Sequence, residues 1–414
     1  MTKLKTIRDV VEGHLCTGCG VCAYLSSDNL EMRDELEYGK RPVLKKTAPV
    51  NESAELFACC PGSHLERLPP LEHNIKSLEK SWGNVLEVWE AFATDEQIRH
   101  AGSSGGVLTA LSLYCLEQEK MAHIVHTKAD PQTPYLNTTA CSSNKEELMA
   151  GTGSRYAPSS PCEKLNTIEA ANAPCVFIGK PCDVAAVHKA RVIRPKLNEN
   201  LGLVMSFFCA GVPSTAGTVK LMQTQGVSDK NTVTSLRYRG NGWPGLWTVQ
   251  YQEDGQVKQQ QLTYQQSWGE LQKDRQWRCY ICPDHIGEFA DIAIGDPWYR
   301  EVQSEQGRSM IVVRTERGRQ IVKAAADAGY LVLEEADSKI LPQSQPNLEQ
   351  TKAWLWGRLF ALNLAGAAVP KYTGFFLFDF WIKTVSTKEK LKSMLGTFKR
   401  VYVKKLREKQ RANC

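Results

Sequence analysis

Three evenly spaced cysteines near the N-terminus, Cys16, Cys19 and Cys22, constrain this chain more than any other feature of its sequence. The small residues between them allow the backbone to curl around a compact inorganic core, and thiolates at this spacing can reach three corners of a 4Fe-4S cube. Cys60, which is followed by proline, is the best candidate for the fourth ligand, and Cys59 is the alternative. Structural zinc, which prefers two Cys-x-x-Cys pairs separated by a longer loop, fits this pattern less well.

Length and composition indicate an ordinary globular protein of two or three domains. The chain has 414 residues, of which 42% are hydrophobic and 23% are charged, and it contains neither a long apolar run nor an apolar signal core. We therefore expect a cytoplasmic protein, in which fourteen cysteines indicate metal or redox chemistry rather than disulfides. The net charge of +6 is uneven, because residues 383–414 carry +9 and the remainder of the chain carries −3.

A turn of small residues at 103–106 follows a predicted strand at 85–93 and precedes a predicted helix at 107–114. Backbone N–H groups at such a helix start are free to face an anion, and the helix dipole adds to the attraction. The pattern therefore indicates a phosphate cradle for a dinucleotide or a flavin. A turn whose helix is capped by a serine side chain is the alternative.

Two further glycine-containing turns each carry a cation and an aromatic residue. In the first, Arg155 could pair with a phosphate and Tyr156 could stack on a ring, while a plain surface turn is the alternative. In the second, an exposed Arg239 and the nearby Trp243 could border a substrate, while a hairpin turn is the alternative. Neither turn is specific by itself.

Continuous apolar runs separated by helical segments predict an α/β fold with a mixed sheet covered by helices on both faces. A helical segment flanked by two of these runs indicates a strand-helix-strand unit near the end of this region. The predicted strands are 174–179, 201–208, 291–295, 310–314 and 330–334, and the predicted helix is 316–329.

Four more cysteines lie next to these strands. Cys182 and Cys209 follow the first and second strands, and Cys279 and Cys282 precede the third. If the strands are parallel, these thiols meet at the edge where open α/β sheets bind ligands, which indicates a second 4Fe-4S site. The alternatives are a zinc site at Cys279 and Cys282, or plain buried thiols at Cys182 and Cys209. The other cysteines are interpreted as structural, namely Cys115, Cys141, Cys162, Cys175 and Cys414.

Near the C-terminus, apolar residues recur at helical spacing over residues 391–402 among lysines and arginines. A basic amphipathic helix of this kind can lie on the anionic inner surface of a membrane or bind an acidic partner. The alternative is a helix that packs on the protein body and exposes a basic face. Nucleic-acid binding is not expected, because no nucleic-acid-binding motif accompanies the charge.

Six motifs occur in order within residues 10–335. They are the cysteines at 16–22, the turns at 101–106 and 153–156, Gly-Lys-Pro-Cys-Asp at 179–183, Phe-Cys-Ala-Gly at 208–211 and Cys-x-x-Cys-x-Asp at 279–284. Together they resemble the coenzyme F420 hydrogenase/dehydrogenase beta subunit family, whose relatives include plant 7-hydroxymethyl chlorophyll a reductase. The resemblance implies a bound FAD beside two 4Fe-4S clusters.

The resemblance also assigns residues and domains. Those implied to contact FAD are Ser103, Ser104, Gly105, Gly106, Ser154, Arg155 and Tyr156. Those implied to hold the cluster near the flavin are Cys182, Cys209, Cys279 and Cys282, with Cys16, Cys19, Cys22 and Cys60 at the second cluster. The implied domains are a ferredoxin-like 4Fe-4S module at 1–78, a flavin-binding domain at 79–168 and a second family domain at 169–340. A helical, basic extension at 341–414 has no counterpart that we can place in the family.

A flavin connected to iron–sulfur clusters can link a one-electron carrier to a two-electron substrate. We therefore predict an oxidoreductase that passes electrons between ferredoxin or a similar donor, or a reduced deazaflavin, and an organic substrate. The alternative is an electron-relay subunit of a larger complex, which would dock through the basic C-terminal segment. A homo-oligomer is compatible with either function.

Overall fold

An eight-stranded mixed sheet forms the centre of the structure, a computed structural model that describes residues 4–45, 54–300 and 306–414. Smaller sheets lie near the N-terminus and beside the main sheet. The strands are β1 (Leu30–Glu35), β2 (Gly39–Leu44), β3 (His64–Glu66), β4 (Glu87–Ala93), β5 (Ile124–Ala129), β6 (Asn137–Ser142), β7 (Cys175–Gly179), β8 (Leu201–Phe207), β9 (Val233–Arg237), β10 (Leu246–Glu253), β11 (Gln256–Thr263), β12 (Ile292–Gly295), β13 (Ser309–Val313), β14 (Leu331–Glu335) and β15 (Lys371–Thr373).

Helices cover both faces of the main sheet, as predicted. Alternate residues of β7 show this directly, because Val176 packs into one hydrophobic cluster and Phe177 into another. The α-helices are α1 (Ile7–Glu12), α2 (Val21–Leu25), α3 (Ala54–Cys59), α4 (Lys76–Trp82), α5 (Glu96–Ala101), α6 (Val107–Glu117), α7 (Lys145–Met149), α8 (Leu165–Glu169), α9 (Pro181–Ile193), α10 (Pro195–Asn200), α11 (Thr215–Thr224), α12 (Tyr264–Leu271), α13 (Trp277–Tyr280), α14 (Glu316–Asp327), α15 (Ile340–Ser344), α16 (Pro346–Ala353), α17 (Leu355–Leu364), α18 (Leu377–Thr384) and α19 (Thr387–Val403). Short 3-10 helices lie at Pro161–Lys164, Lys230–Thr232 and Gln272–Asp274.

The strand order in the main sheet is β14-β4-β13-β12-β8-β7-β5-β6. The four adjacent strands β12, β8, β7 and β5 run parallel to one another. Strands β6, β13, β4 and β14 pair with their neighbours in antiparallel fashion. The first three predicted strands are therefore parallel, which meets the condition on which the second thiol site depends. Their carboxyl ends lie at one edge of the sheet, where ligands of open α/β folds bind.

The predicted strand-helix-strand unit is β13, α14 and β14, and it encloses a strand from earlier in the chain. Strand β4 lies between β13 and β14 and pairs in antiparallel fashion with both. Thr315 caps α14 by accepting a hydrogen bond from the N–H of Gly318, and the turn after the helix contains Gly329 with φ of 79°. One sheet therefore unites residues from both proposed family domains, and the boundary at 168/169 remains a prediction.

The N-terminal segment packs against the main body rather than standing apart from it. Its residues Val10, Leu15 and Leu30 belong to the same hydrophobic cluster as residues of α9 and α17. The N-terminal segment therefore shares the hydrophobic core of the rest of the chain. Strand β3 also pairs in parallel with β15, which lies more than three hundred residues later.

The end of the chain returns to the N-terminal segment. The N–H of Gln410 donates to the carbonyl of Glu12, and the N–H of Leu44 donates to the carbonyl of Asn413 at 2.8 Å. Within the described ranges, no helix is long and apolar enough to cross a membrane.

Candidate functional site

A cavity of about 280 Å³ opens at the carboxyl edge of the parallel strands. Its walls come from the start of α6, the turn before it, the turn at 151–156, the ends of β7, β8 and β12, and one side of α12. Six of the seven residues that the family resemblance assigns to FAD line this cavity, namely Ser103, Ser104, Gly106, Ser154, Arg155 and Tyr156.

Helix α6 begins without a side-chain cap. Gly106 precedes it in the left-handed conformation, with φ of 72°, and no side chain accepts a hydrogen bond from its first turn. The serine-capped alternative is therefore wrong. Because Gly106, Val107, Leu108 and Thr109 all line the cavity, the positive end of the helix faces open space, which suits a phosphate.

Gly105 supports this turn from behind. An added Cβ would lie 2.6 Å from the carbonyl oxygen of Ala91 and 3.0 Å from the Cα of Arg308, so only glycine fits. Its N–H donates to Ser309 Oγ at 3.1 Å, and Ser309 Oγ donates to Ser104 Oγ at 2.9 Å. Hydrogen bonds to Ser309 of β13 therefore fix the backbone of this turn at the edge of the cavity.

The second turn meets the first through a hydrogen bond from the Ser154 N–H to Ser103 Oγ. Arg155 lines the cavity but uses its guanidinium to hold the protein together. It donates to Asn137 Oδ1 at 2.8 Å and to three backbone carbonyls, among them that of Leu136 at 2.9 Å. Pairing of Arg155 with a phosphate stays a prediction, and these bonds show that its donors already serve the fold. The surface-turn alternative does not describe a segment that forms a cavity wall.

Arg239 lies inside the cavity wall and not at the surface. Its side chain is 2% exposed and makes a two-pronged ion pair with Asp296. Burial lowers the pKa of this guanidinium, but the carboxylate of Asp296 outweighs that effect and the net pKa is raised. The expectation of an exposed Arg239 was wrong because the sequence does not reveal that β12 places a carboxylate beneath the loop.

Aromatic rings surround this ion pair. The guanidinium of Arg239 lies 4.9 Å from the ring centre of Tyr264 and 5.2 Å from that of Trp298, and these two rings stack at 5.0 Å. The indole of Trp243 is buried and donates to Asp296 Oδ1 at 2.9 Å. Trp243 therefore supports the wall. The loop also connects the antiparallel strands β9 and β10, as the hairpin alternative predicted.

The second group of thiols lies beside this cavity. Cys209 lines the cavity directly, and Cys182, Cys279 and Cys282 interact with it or with one another electrostatically. Burial, followed by the charge of Cys279, raises the pKa of Cys209 to about 12. Burial likewise raises the pKa of Cys282 to about 12 and that of Cys182 well above its ordinary value. These buried thiols cannot all become thiolates at once unless a cation compensates their negative charge.

The chemistry of this donor set fits an iron–sulfur cluster. In the described part of the chain, no three cysteine, histidine or acidic side chains converge closely enough to hold one metal ion. A 4Fe-4S cluster takes each thiolate at a different iron, and the zinc alternative at Cys279 and Cys282 stays open. The N–H of Val212 donates to Cys279 Sγ at 3.3 Å, which is the kind of contact that tunes a bound cluster.

The N-terminal thiols form a comparable group. Cys16, Cys19, Cys22 and Cys60 are buried, and every pair among them interacts electrostatically. Burial raises the pKa of Cys60 to about 12, with Cys19 and Cys16 adding to the effect. The pKa of Cys59 is raised to about 11 by burial, and Cys19 is the only member of the group among the charges that influence it. Cys60 interacts with all three of the other thiols, and its assignment as the fourth ligand in place of Cys59 stays a prediction.

Comparison with known proteins now identifies the family. Residues 88–166 match the profile for the N-terminal part of the coenzyme F420 hydrogenase/dehydrogenase beta subunit, and residues 174–339 match the profile for its C-terminal part. The chain belongs to the coenzyme F420 hydrogenase/dehydrogenase beta subunit family. It is therefore an oxidoreductase of the beta-subunit type, which confirms the resemblance that the six motifs indicate.

The similar proteins are distant members of this beta subunit family. Coenzyme F420 hydrogenase subunit beta of Methanococcus voltae is 26% identical over 262 residues, which is 62% of this chain and 86% of that protein. The coenzyme F420-dependent sulfite reductase of Methanocaldococcus jannaschii is 22% identical, over 80% of this chain and 49% of that protein. A chain in the structure of the F420-reducing NiFe hydrogenase complex of Methanosarcina barkeri has a TM-score of 0.50 and 20% identity, and the match covers 65% of this chain and 91% of that one. The last comparison supports the fold.

The ranges matched by the beta subunit family contain the second thiol group but not the N-terminal thiol group. Cys182, Cys209, Cys279 and Cys282 lie within residues 174–339, whereas the N-terminal group and residues 340–414 lie outside both matched ranges. The N-terminal thiols therefore depend on the geometry of this chain for their interpretation.

Cys162, which the sequence led us to treat as structural, lies between the two thiol groups. Its N–H donates to the Cys19 carbonyl at 3.0 Å, and its side chain lowers the pKa of the Cys19 thiol. On the other side, the Cys162 thiol donates to the carbonyl oxygen of Asp183, the residue that follows Cys182, at 3.5 Å. The residue has no cysteine at ligand spacing in the sequence, so only the fold reveals this position.

A buried ion pair beside the cavity also escaped the sequence analysis. Lys180 Nζ donates to Asp183 Oδ2 at 2.7 Å and to Ser159 Oγ at 2.9 Å, and all three residues line the cavity. The Gly-Lys-Pro-Cys-Asp motif at 179–183 contained this signal, because a Lys and an Asp three residues apart at a helix start face each other.

Proposed function

We propose that this chain is an iron–sulfur flavoprotein oxidoreductase with one FAD and two 4Fe-4S clusters. It would pass electrons between ferredoxin or a similar one-electron carrier, or a reduced deazaflavin, and an organic substrate. The observation that carries the proposal is that Cys209 lines the same cavity as the uncapped start of α6. A cluster held by the second thiol group and a flavin held by the cavity would then be direct neighbours.

The residues of the cavity would divide the work of holding the flavin. The backbone N–H groups at the start of α6 would bind its phosphates, because the helix terminus supplies donors and a favourable dipole. Tyr264, Trp268 and Trp298 offer aromatic surface for a planar ring. A flavin exchanges one or two electrons, so its presence beside a cluster would couple single-electron carriers to hydride chemistry.

The second thiol group would hold the cluster nearest to the flavin. Cys182, Cys209, Cys279 and Cys282 supply four thiolates, and the buried cation of Arg278 lies within electrostatic range of three of them. A positive side chain beside a thiolate-bound cluster stabilises the reduced form of that cluster. The N-terminal group would hold the other cluster, and a carrier would exchange electrons with it.

Cofactor analysis of the anaerobically purified protein tests this proposal. We expect about eight irons, eight sulfides and one FAD per chain. Cys16→Ser and Cys282→Ser should each lose about four irons, whereas Cys141→Ser, at an exposed thiol, should retain all of them. Zinc in place of iron, or iron that survives both ligand substitutions, would overturn the assignment.

The electron donor requires a separate experiment. Reduced ferredoxin and a reduced deazaflavin are each mixed with the oxidised protein, and loss of flavin absorbance is followed by stopped flow. A donor that belongs to the pathway should reduce the flavin in a single rapid phase. Cys16→Ser should slow reduction by ferredoxin much more than reduction by the deazaflavin, since a hydride donor can react at the flavin directly.

An electron-relay subunit is the second candidate function. The comparison chain from Methanosarcina barkeri comes from a hydrogenase complex, which is the observation that favours it. Such a subunit would dock through the basic segment 383–414. Unchanged mass in solution with every tested partner, together with turnover of a small substrate by the purified chain, would exclude this function.

A further inference from the structure

Helix α19 turns an apolar face toward solvent. It packs on the protein body through Ser393, Thr397 and Val401, which are buried. Leu391, Leu395, Phe398 and Tyr402, spaced 4, 3 and 4 residues apart, form a stripe on another side of the helix. The exposed fractions of these outward residues are 58%, 65%, 37% and 87%, respectively. The alternative of a packed helix with a solvated basic face therefore describes only half of α19.

Two neighbouring helices also expose apolar side chains. Phe360 and Leu364 are one turn apart on α17, and Phe378 and Ile382 are one turn apart on α18. The ring of Trp356 joins the two helices, because it stacks on Phe360 at 5.1 Å and meets Phe378 edge-on at 5.0 Å. We call these eight outward side chains of α17, α18 and α19 the apolar face.

Positive charge borders the stripe on α19. Lys388, Lys392 and Lys399 are exposed, and their positions on the helical wheel lie immediately beside Leu391 and Leu395. The whole segment 383–414 carries +9. An apolar stripe bordered by lysines is the arrangement that places a helix in the plane of an anionic bilayer, with the side chains reaching the acyl boundary.

We propose that the apolar face is a monotopic membrane-binding surface that rests on anionic phospholipid. Large exposed apolar patches are uncommon on monomeric proteins and mark interaction sites. The lysines along one side of the stripe favour a lipid headgroup layer, because a protein partner would need acidic side chains that match this row beside an apolar centre. Helix α19 has 17 residues and many charges, so it would lie along the membrane and not across it.

Vesicle co-sedimentation with the full-length protein tests the proposal. Vesicles of phosphatidylcholine alone are compared with vesicles that contain phosphatidylglycerol. We expect binding to the anionic vesicles that is about tenfold or more tighter than to the neutral ones and that weakens with added salt. Lys392→Gln together with Lys399→Gln should reduce the binding to anionic vesicles and its salt dependence.

A matched pair of variants distinguishes binding through the apolar face from nonspecific adsorption of exposed apolar side chains to vesicles. Leu395→Ser with Tyr402→Ser should weaken vesicle binding about tenfold or more, because both side chains would leave the bilayer interface. Val257→Ser removes a side chain that is 63% exposed on β11 and should leave binding unchanged.

Equal loss in both variants, or no binding to either vesicle, would overturn the proposal. Self-association that disappears in the Leu395 and Tyr402 variant, without vesicle binding, would assign the face to a protein contact instead. Cofactor content is independent of these readouts, so failure here leaves the proposed oxidoreductase function untouched.

Discussion

Arg239 and Asp296 form a two-pronged ion pair in the cavity wall, with Nη2–Oδ1 at 2.7 Å and Nη1–Oδ2 at 2.9 Å. Asp296→Asn would leave the buried guanidinium without its counter-charge. We expect a loss of about 3 kcal/mol in the free energy of unfolding, which is typical for a broken buried pair. The denaturant midpoint of the variant measures this loss.

A surface pair supplies the control for that measurement. Lys196 and Glu199 lie 3.2 Å apart with side chains 58% and 62% exposed. Glu199→Gln should change the free energy of unfolding by less than about 1 kcal/mol. If Asp296→Asn behaves like Glu199→Gln, the buried pair does not hold the cavity wall.

Replacement of Gly106 should weaken flavin binding. Gly106→Ala places a Cβ 2.7 Å from the carbonyl oxygen of Ile98 at a φ of 72°, so the start of α6 must move. We expect the FAD content of the purified protein to fall several-fold. Gly226→Ala imposes a similar backbone strain at a φ of 87° with nothing within 4 Å of the new atom, and it should retain the flavin. Equal flavin content in the two variants would show that α6 does not bind it.

Cys162, whose side chain lowers the pKa of the Cys19 thiol, should raise the reduction potential of an N-terminal cluster if it donates to the Cys19 sulfur in the loaded protein. A donor to a ligand sulfur stabilises the more negative, reduced state. Cys162→Ala should therefore shift that potential to more negative values, and Cys162→Ser, which keeps a donor, should shift it less. A redox titration followed by electron paramagnetic resonance measures both.

The control for Cys162 is another fully buried thiol. Cys175→Ala removes a side chain that donates to the carbonyl of Ala173 and should leave both potentials as in the wild type. Identical potentials in the wild type and Cys162→Ala, with full iron content, would contradict the assigned role. Loss of iron in the variant would instead point to Cys162 as a ligand.

Acid should destabilise the fold through His126. Burial lowers the pKa of this imidazole to about 4, and the ring nitrogen Nε2 lies 2.7 Å from Ser142 Oγ. Because the unfolded chain binds the proton near pH 6.5, the stability contribution is present above that pH and is lost as pH falls toward 4. Between pH 7 and pH 5, the free energy of unfolding should fall by about 2 kcal/mol less in His126→Gln than in the wild type, as measured by denaturant unfolding at each pH. An unchanged pH slope in the variant would contradict the prediction.

The sequence predicted the parts of the fold that repeat a local pattern. Continuous apolar runs predicted β7, β8 and β12, and their parallel arrangement follows from the helices between them. The small-residue turn before Val107 indicated an open helix start, which the fold confirms. Each of these features depends on residues close together in the chain.

The features that the sequence did not predict depend on residues far apart. Asp296 turns an apparently exposed Arg239 into a buried one, and 57 residues separate them. Cys162 gains its position from contacts with Cys19 and Asp183, which no spacing rule connects. The basic character of α19 was visible in the sequence, but which of its sides faces outward depends on how it packs. Tertiary contacts of this kind become visible only once the fold is known.

Strand β4 is held on both sides by β13 and β14, which come from the other matched half of the family. The two halves are consequently interlocked. The C-terminal half alone would lack β4 between β13 and β14, and the N-terminal half alone would leave β4 without either partner strand. Splitting this protein into separately expressed pieces should therefore be tolerated only at sites outside residues 87–335.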